Sequence, residues 1–202
     1  MEMIGVSASA SKAGKTTLIS HMLENSRCYN TAVIKTSINN EMDQYKVIND
    51  PKIINQEGTD TSRFKKHGAN KVILLESPAA EIPSAYQLAE NLLSSDTERL
   101  FIEGNTIINF LNPNLLFYLN NSEQSEKESA KMVKNRAEIK ISTNILLQAN
   151  HLSDVPFIIQ PSDLSCYKAH LLAHLFDLKV GQVGKIIKEQ DVKVTKCQLG
   201  LF

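Results

Sequence analysis

The chain has no tryptophan, only three cysteines, and no surplus of charge of either sign. Each shortage excludes something. Lys+Arg and Asp+Glu both total 22, so no overall field draws the chain to nucleic acid or to an anionic membrane. Cys28, Cys166 and Cys197 are odd in number, widely spaced and in no CxxC pair, so reduced thiols in the cytoplasm are expected. The histidines at 21, 67, 151, 170 and 174 stand at no ligand spacing from those cysteines, so no zinc site is expected. The opening MEMIGVSAS lacks the basic and long apolar regions of a signal peptide, and no apolar run is long enough for a spanning helix. A cytoplasmic globular protein is expected.

Apolar residues make up 42% of the 202 positions, enough for one well-packed domain. Short apolar runs recur: MIGV at 3–6, TAVIK at 31–35, KVILL at 71–75, RLFIE at 99–103, LLFYL at 115–119, EIKIS at 138–142 and PFIIQ at 156–160. Several are consecutive rather than alternating, as strands covered on both faces require. Helical patterns fall between them: Lys15 to Glu24, Thr59 to His67, Ala85 to Leu93, Glu126 to Arg136, and a last one capped by Asp163 and running to Phe176. Strands alternating with helices predict an α/β fold, a mostly parallel sheet with helices on both faces. Residues 1–177 would form the nucleotide-binding domain and 178–202 a small appendage, a C-terminal helix and tail. Between Thr36 and Glu57 the pattern dissolves into a long polar connection, which marks a functional or mobile segment.

Directly after the first run stands Ser9-Ala10-Ser11-Lys12-Ala13-Gly14-Lys15-Thr16-Thr17, which matches GxxxxGK[ST] except that Ser9 replaces the first glycine. A loop whose backbone N–H groups wrap a polyphosphate needs small side chains, and this one has them. Gly14 permits close backbone approach, Lys15 brings charge to the β- and γ-phosphates, and the Thr16 hydroxyl suits Mg²⁺. The helix that follows turns its positive end toward the same anion. Ser11, Lys12, Ala13 and Thr17 complete the predicted cradle. Lys15 is the predicted catalytic cation. Glu103, at the end of a buried strand and followed by Gly104, is a second catalytic and metal-facing candidate, because strand carboxyl ends line the ligand crevice of open α/β sheets. No NKxD base reader occurs. Asn144 after EIKIST and the turn Pro161-Ser162-Asp163 are the places where a base could be read.

Through GKTTL, VIK, GTDTSRFKKHGA and FIEG the chain resembles the molybdopterin-guanine dinucleotide biosynthesis adaptor protein family, GTP-binding P-loop proteins of the group that includes signal-recognition and nitrogenase-iron-protein-like NTPases. The resemblance covers about Met3 to Gly104 in discrete motifs and runs more loosely to Phe176. It implies a nucleotide loop at Gly14 to Thr17, a metal-facing acid near Asp43, a second block at Gly58, Asp60, Thr61, Gly68 and Ala69, and a third at Glu103-Gly104. Where the family carries histidines after VIK, this chain has Thr36-Ser37-Ile38-Asn39-Asn40.

The function expected is a Mg²⁺-dependent GTP-binding adaptor, with ATP left open and slow NTP hydrolysis, acting with a partner protein in molybdenum-cofactor or related metal-cofactor maturation. The alternative is a small-molecule kinase on the same scaffold. Five lysines between 179 and 196 make the tail modestly basic, but too little chain follows Lys193 for a second groove-entering helix, so nucleic acid is not an expected partner. The apolar end Leu199-Gly200-Leu201-Phe202, together with the family's habit, predicts a homodimer.

Overall fold

Aliphatic and β-branched runs become strands, and the computed structural model, which describes residues 1–196, sets them in one sheet. They are β1 (Glu2–Ala8), β2 (Thr31–Ile38), β3 (Lys46–Ile48), β4 (Lys71–Ser77), β5 (Arg99–Glu103), β6 (Leu115–Asn120), β7 (Ile139–Ser142) and β8 (Ile158–Ile159). The order across this eight-stranded sheet is β3-β4-β2-β5-β1-β6-β7-β8. The strands from β4 to β7 run parallel, while β3 and β8 close the edges antiparallel. The phosphate-loop strand β1 is therefore central.

Side chains alternate across the pleat, so each inner strand feeds two cores. Phe101 of β5 and Phe117 of β6 face one, with Leu18, Ile19 and Met22 of α1 (Lys15–Asn25). Ile102 and Tyr118 face the other. Of the helices between, α2 (Pro51–Ile54) and α3 (Asp60–Lys66) join α1 on the first face through Ile54 and Phe64. The second face is covered by α4 (Ile82–Asn91), α5 (Asn105–Phe110) and α6 (Glu128–Arg136). The chain then returns to the first face with α7 (Thr143–Gln148), α8 (Cys166–Leu175) and α9 (Val180–Glu189), which bury Leu146, Leu172 and Val183 there. This is the three-layer α/β arrangement the sequence predicts.

Two local readings change. Asp163 does not cap α8. It lies in β9 (Asp163–Ser165), which pairs with β10 (Lys193–Thr195), and the extended backbone there moves the cap to Ser165, whose Oγ accepts from the Lys168 N–H at 3.3 Å. The long connection after β2 is not featureless, since it holds β3 and α2. Among the described residues no helix is long and apolar enough to cross a membrane.

At the opposite end of β5 from Glu103, Arg99 is almost wholly buried. Its Nε and Nη2 donate to Glu2 Oε2 at 2.9 and 2.6 Å, Nη1 donates to Ser26 Oγ at 2.8 Å, and Tyr29 covers the guanidinium 4.0 Å from its ring centre. A buried guanidinium deprived of its counter-charge cannot recover hydration. Glu2→Gln should therefore cost about 2 kcal/mol, read as a lower urea midpoint, whereas an unchanged midpoint would show the pair to be dispensable.

Candidate functional site

The phosphate loop is the turn between β1 and α1. Ser9, in the first glycine's place, is buried and does not have the positive φ that would strain a serine; the left-handed residues of the loop are Lys12 (φ 56°) and Gly14 (φ 89°). The Ser9 hydroxyl accepts from the Asn121 N–H at 2.8 Å, and its backbone N–H donates to Leu119 O at 2.9 Å. The serine is thus a fastener between the loop and the exit of β6. Glycine is needed instead at position 14, where positive φ coincides with close neighbours: an added Cβ would meet Leu146 Cδ2 at 3.2 Å and Leu147 Cδ2 at 3.4 Å. Thr143 at the start of α7 donates to Ala13 O at 3.0 Å and pins the loop from that side.

Beside the loop, register assembles a charged cluster. Lys35 of β2 pairs directly with Glu103 of β5, so both side chains leave the same face at the carboxyl ends of their strands. Lys35 Nζ lies 3.0 Å from Glu103 Oε1 and 2.8 Å from Asp60 Oδ2. Asp60 reaches it because Thr59, not Asp60, caps α3: the Thr59 hydroxyl accepts from the Ser62 N–H at 3.2 Å and leaves the aspartate to face the cleft. Thr16 Oγ1 donates to Glu103 Oε2 at 3.4 Å. Burial would lower the Lys35 ammonium, but the Glu103 charge and hydrogen bonds to Asp60 and Glu103 outweigh it and hold the group above its ordinary value. Burial would raise the Asp60 carboxyl, and the hydrogen bond and charge of Lys35, helped by Thr16, hold it below the usual carboxylate range.

Lys15 differs. It makes no hydrogen bond or ion pair among the described residues, and burial, the largest influence, lowers its pKa; Lys35 and Lys127 add to that while Glu103 and Asp60 oppose it. A cation held partly out of water without a partner is poised for an anionic ligand.

These groups line a cleft of about 780 Å³, within the range of small-molecule sites. Ser11, Lys12, Ala13, Gly14, Lys15, Thr16, Thr17, Asp60 and Glu103 all lie along it. Asp43, Thr61 and Asn144 do not. Asp43 is exposed in the connection before β3. Thr61 is buried against Thr59, hydroxyl to hydroxyl at 3.0 Å. The Asn144 amide donates to Glu123 Oε1 at 3.0 Å. Lys35, Thr36 and Lys127 line the cleft without having been singled out as site residues, and so does Leu147. The lysine ending the VIK run was the available signal, since a charge closing a buried strand must find a partner. Arg63 also lines the cleft, with Nη2 3.5 Å from Thr17 Oγ1.

The donors suit a hard divalent cation. Thr16 Oγ1 and the Glu103 carboxylate are oxygens of the kind Mg²⁺ takes. Among the described residues no three His, Cys, Asp or Glu side chains gather into a metal group, so such an ion would be completed by ligand phosphates and water.

A parallel sheet with its phosphate loop between the central strand and the first helix is the P-loop NTPase fold. No family model matches the chain, and no curated protein matches it. Among solved structures, the chain is similar to the "apo" form of LpxK from Aquifex aeolicus in complex with ATP, with TM-score 0.50 and 13% identity over 96% of this chain and 69% of that one. It is also similar to HypB from Helicobacter pylori in complex with nickel, with TM-score 0.43 and 14% identity over 96% of this chain and 77% of that one. At such identities the likeness to LpxK is one of fold.

Proposed function

We propose that the chain binds a purine nucleoside triphosphate, GTP in preference to ATP, together with Mg²⁺, and hydrolyses it slowly while acting as a cytoplasmic adaptor in molybdenum-cofactor or related metal-cofactor maturation. The observation that carries the nucleotide reading is the unpartnered Lys15 at the head of α1, facing a cleft walled by the small-residue loop. The preference for GTP and the pathway rest on the resemblance of GTDTSRFKKHGA and FIEG. The homodimer belongs to the same proposal, although its apolar tail, Leu199 to Phe202, lies outside the described residues.

The cleft has polarity along its length. At one end Leu147, 53% exposed, stands beside Gly14 on the β7 side of the loop. At the other, on the β2 side, stand Lys35, Asp60 and Glu103. A nucleotide is polarised in the same way, so its base lies toward Leu147 and its phosphates toward the charged end. Loop amides and Lys15 hold the phosphates, and Thr16, with Glu103 directly or through water, would hold a Mg²⁺ that would supply countercharge there. Glu103 Oε2, beside Thr16, orients water. Arg63 lies 3.5 Å from Thr17 Oγ1 and its charge acts on Asp60, but the loop itself carries no arginine, so turnover by the chain alone is slow.

Thermal-shift titration with GTP, ATP and their diphosphates, with and without Mg²⁺, tests this. A ligand at a hundredfold its dissociation constant stabilises by about 2.7 kcal/mol, and GTP with Mg²⁺ should give the largest shift. No shift with any nucleotide would refute the reading. One observation favours a second reading, a small-molecule kinase: the cleft continues beyond the charged cluster to Ser37, Asn40 and Thr106, where an acceptor could lie. Transfer of labelled γ-phosphate to a metabolite would select it.

A further inference from the structure

The charged end of the cleft contains more than a phosphate loop requires. Two carboxylates, Asp60 and Glu103, stand where the anionic end of a ligand must go, and left to themselves they would repel it. Lys35 prevents this. Its one nitrogen touches both, at 2.8 and 3.0 Å, and the side chain is only 18% exposed, so the ammonium is fixed rather than sweeping through solvent. An ammonium has three donors. Two point to Oδ2 of Asp60 and Oε1 of Glu103, and the third remains, on a residue that lines the same cleft as Lys15 and Thr16. Both carboxylates are therefore neutralised in part before any ligand arrives, and a donor is left over at the far end from Leu147.

Resting on the nucleotide reading above, we propose that Lys35 counts phosphates: it is the specificity-determining residue that makes the cleft prefer a nucleoside triphosphate to a diphosphate, by giving its third hydrogen to the terminal phosphate and by offsetting part of the carboxylate charge that would repel it. Lys15 reaches the β-phosphate, which both nucleotides have, as well as the γ-phosphate. Lys35 serves the one that only the triphosphate has. The lysine is built for this place by register, because β2 pairs with β5 so that position 35 lies opposite position 103. A neutral side chain at 35 would leave both acids uncompensated exactly where the extra charge of a triphosphate must sit, and the preference would collapse.

The test is calorimetry of GTP and GDP on the full chain, in EDTA and again with Mg²⁺. The wild type should bind GTP more tightly than GDP. Lys35→Met should weaken GTP by roughly ten- to a hundredfold, the worth of one hydrogen bond between charged groups, and weaken GDP by less than about threefold. Lys35→Arg, which keeps a donor and the charge, should keep the preference. Because Lys35→Met leaves two acids without their lysine, the double variant Lys35→Met with Glu103→Gln guards against misfolding; in EDTA its cluster keeps Asp60 alone, the same net charge as Lys35 with both acids, and it should still lack the preference. A wild-type ratio of GTP to GDP affinity in Lys35→Met, or an equal loss for both, overturns the inference while leaving the site reading in place. A wild-type chain that binds neither nucleotide overturns both.

Discussion

Lys15→Ala should lower triphosphate affinity by roughly a hundredfold or more, a loss of about 3 kcal/mol. The lysine heads α1 in the cleft and has no partner among the described residues, so its interaction with phosphate is not offset by a protein contact given up on binding. The variant should fold at least as well as the wild type. Burial lowers the folded-state pKa of Lys15 below its ordinary 10.5, which means the unfolded chain holds that proton more tightly. Below the lowered value the charged lysine costs the folded state stability, and the cost fades as pH rises through the window up to 10.5. Alanine removes it at every pH. A melting temperature equal to or above wild type, with nucleotide uptake lost by calorimetry, is the expected pair of results. The same shift makes wild-type affinity fall with rising pH sooner than for an ordinary lysine, because the neutral amine no longer attracts phosphate. Unchanged uptake by Lys15→Ala would sink the phosphate-loop reading.

Gly104→Ala should destabilise the protein by about 4 kcal/mol, combining a glycine-only backbone with a direct overlap. Gly104 has φ 140° and ψ 143°, and a Cβ there would lie 1.9 Å from Thr36 Oγ1 and 3.4 Å from Ile107 Cγ2. The threonine cannot simply turn aside, since its hydroxyl donates to Glu103 O at 2.9 Å and ties β2 to the end of β5. Adding Thr36→Ala to the variant removes the 1.9 Å overlap but leaves the Cβ of residue 36 at 3.2 Å and the backbone strain, so no more than about half the loss should return. Urea denaturation of the two variants measures both parts. A Gly104→Ala protein with a wild-type midpoint would show that the strand end relaxes freely, and Glu103 would then lose its fixed position in the proposed site.

Much of the cleft was legible in the chain because its parts are contiguous. Five small residues around Lys12 between Ser9 and Gly14, followed at once by Lys15 and Thr16, mark a backbone cradle when they stand between a strand and a helix. The excursion after β2 was less legible. Three residues of β3 and four of α2 bury too little to leave a periodic trace, and α5 and α7 are likewise short. Either Thr59 or Asp60 could cap α3 by residue type, and only the fold shows the threonine in that place and the aspartate occupied by a lysine from another strand. Asn144, an apt base reader by position, is bonded to Glu123, a residue in a polar stretch with no pattern to announce the contact.

What the sequence determined by itself was the α/β class, the alternation of strands covered on both faces with helices, and the phosphate loop, since each depends on neighbours within one turn or one strand. Tertiary structure decided the company that loop keeps. Lys35 and Glu103 are 68 positions apart, and only the insertion of β5 between β1 and β2, in the register that sets position 35 against position 103, makes them touch. Strand order and register arise from the packing of whole faces, so no local run of residues encodes them.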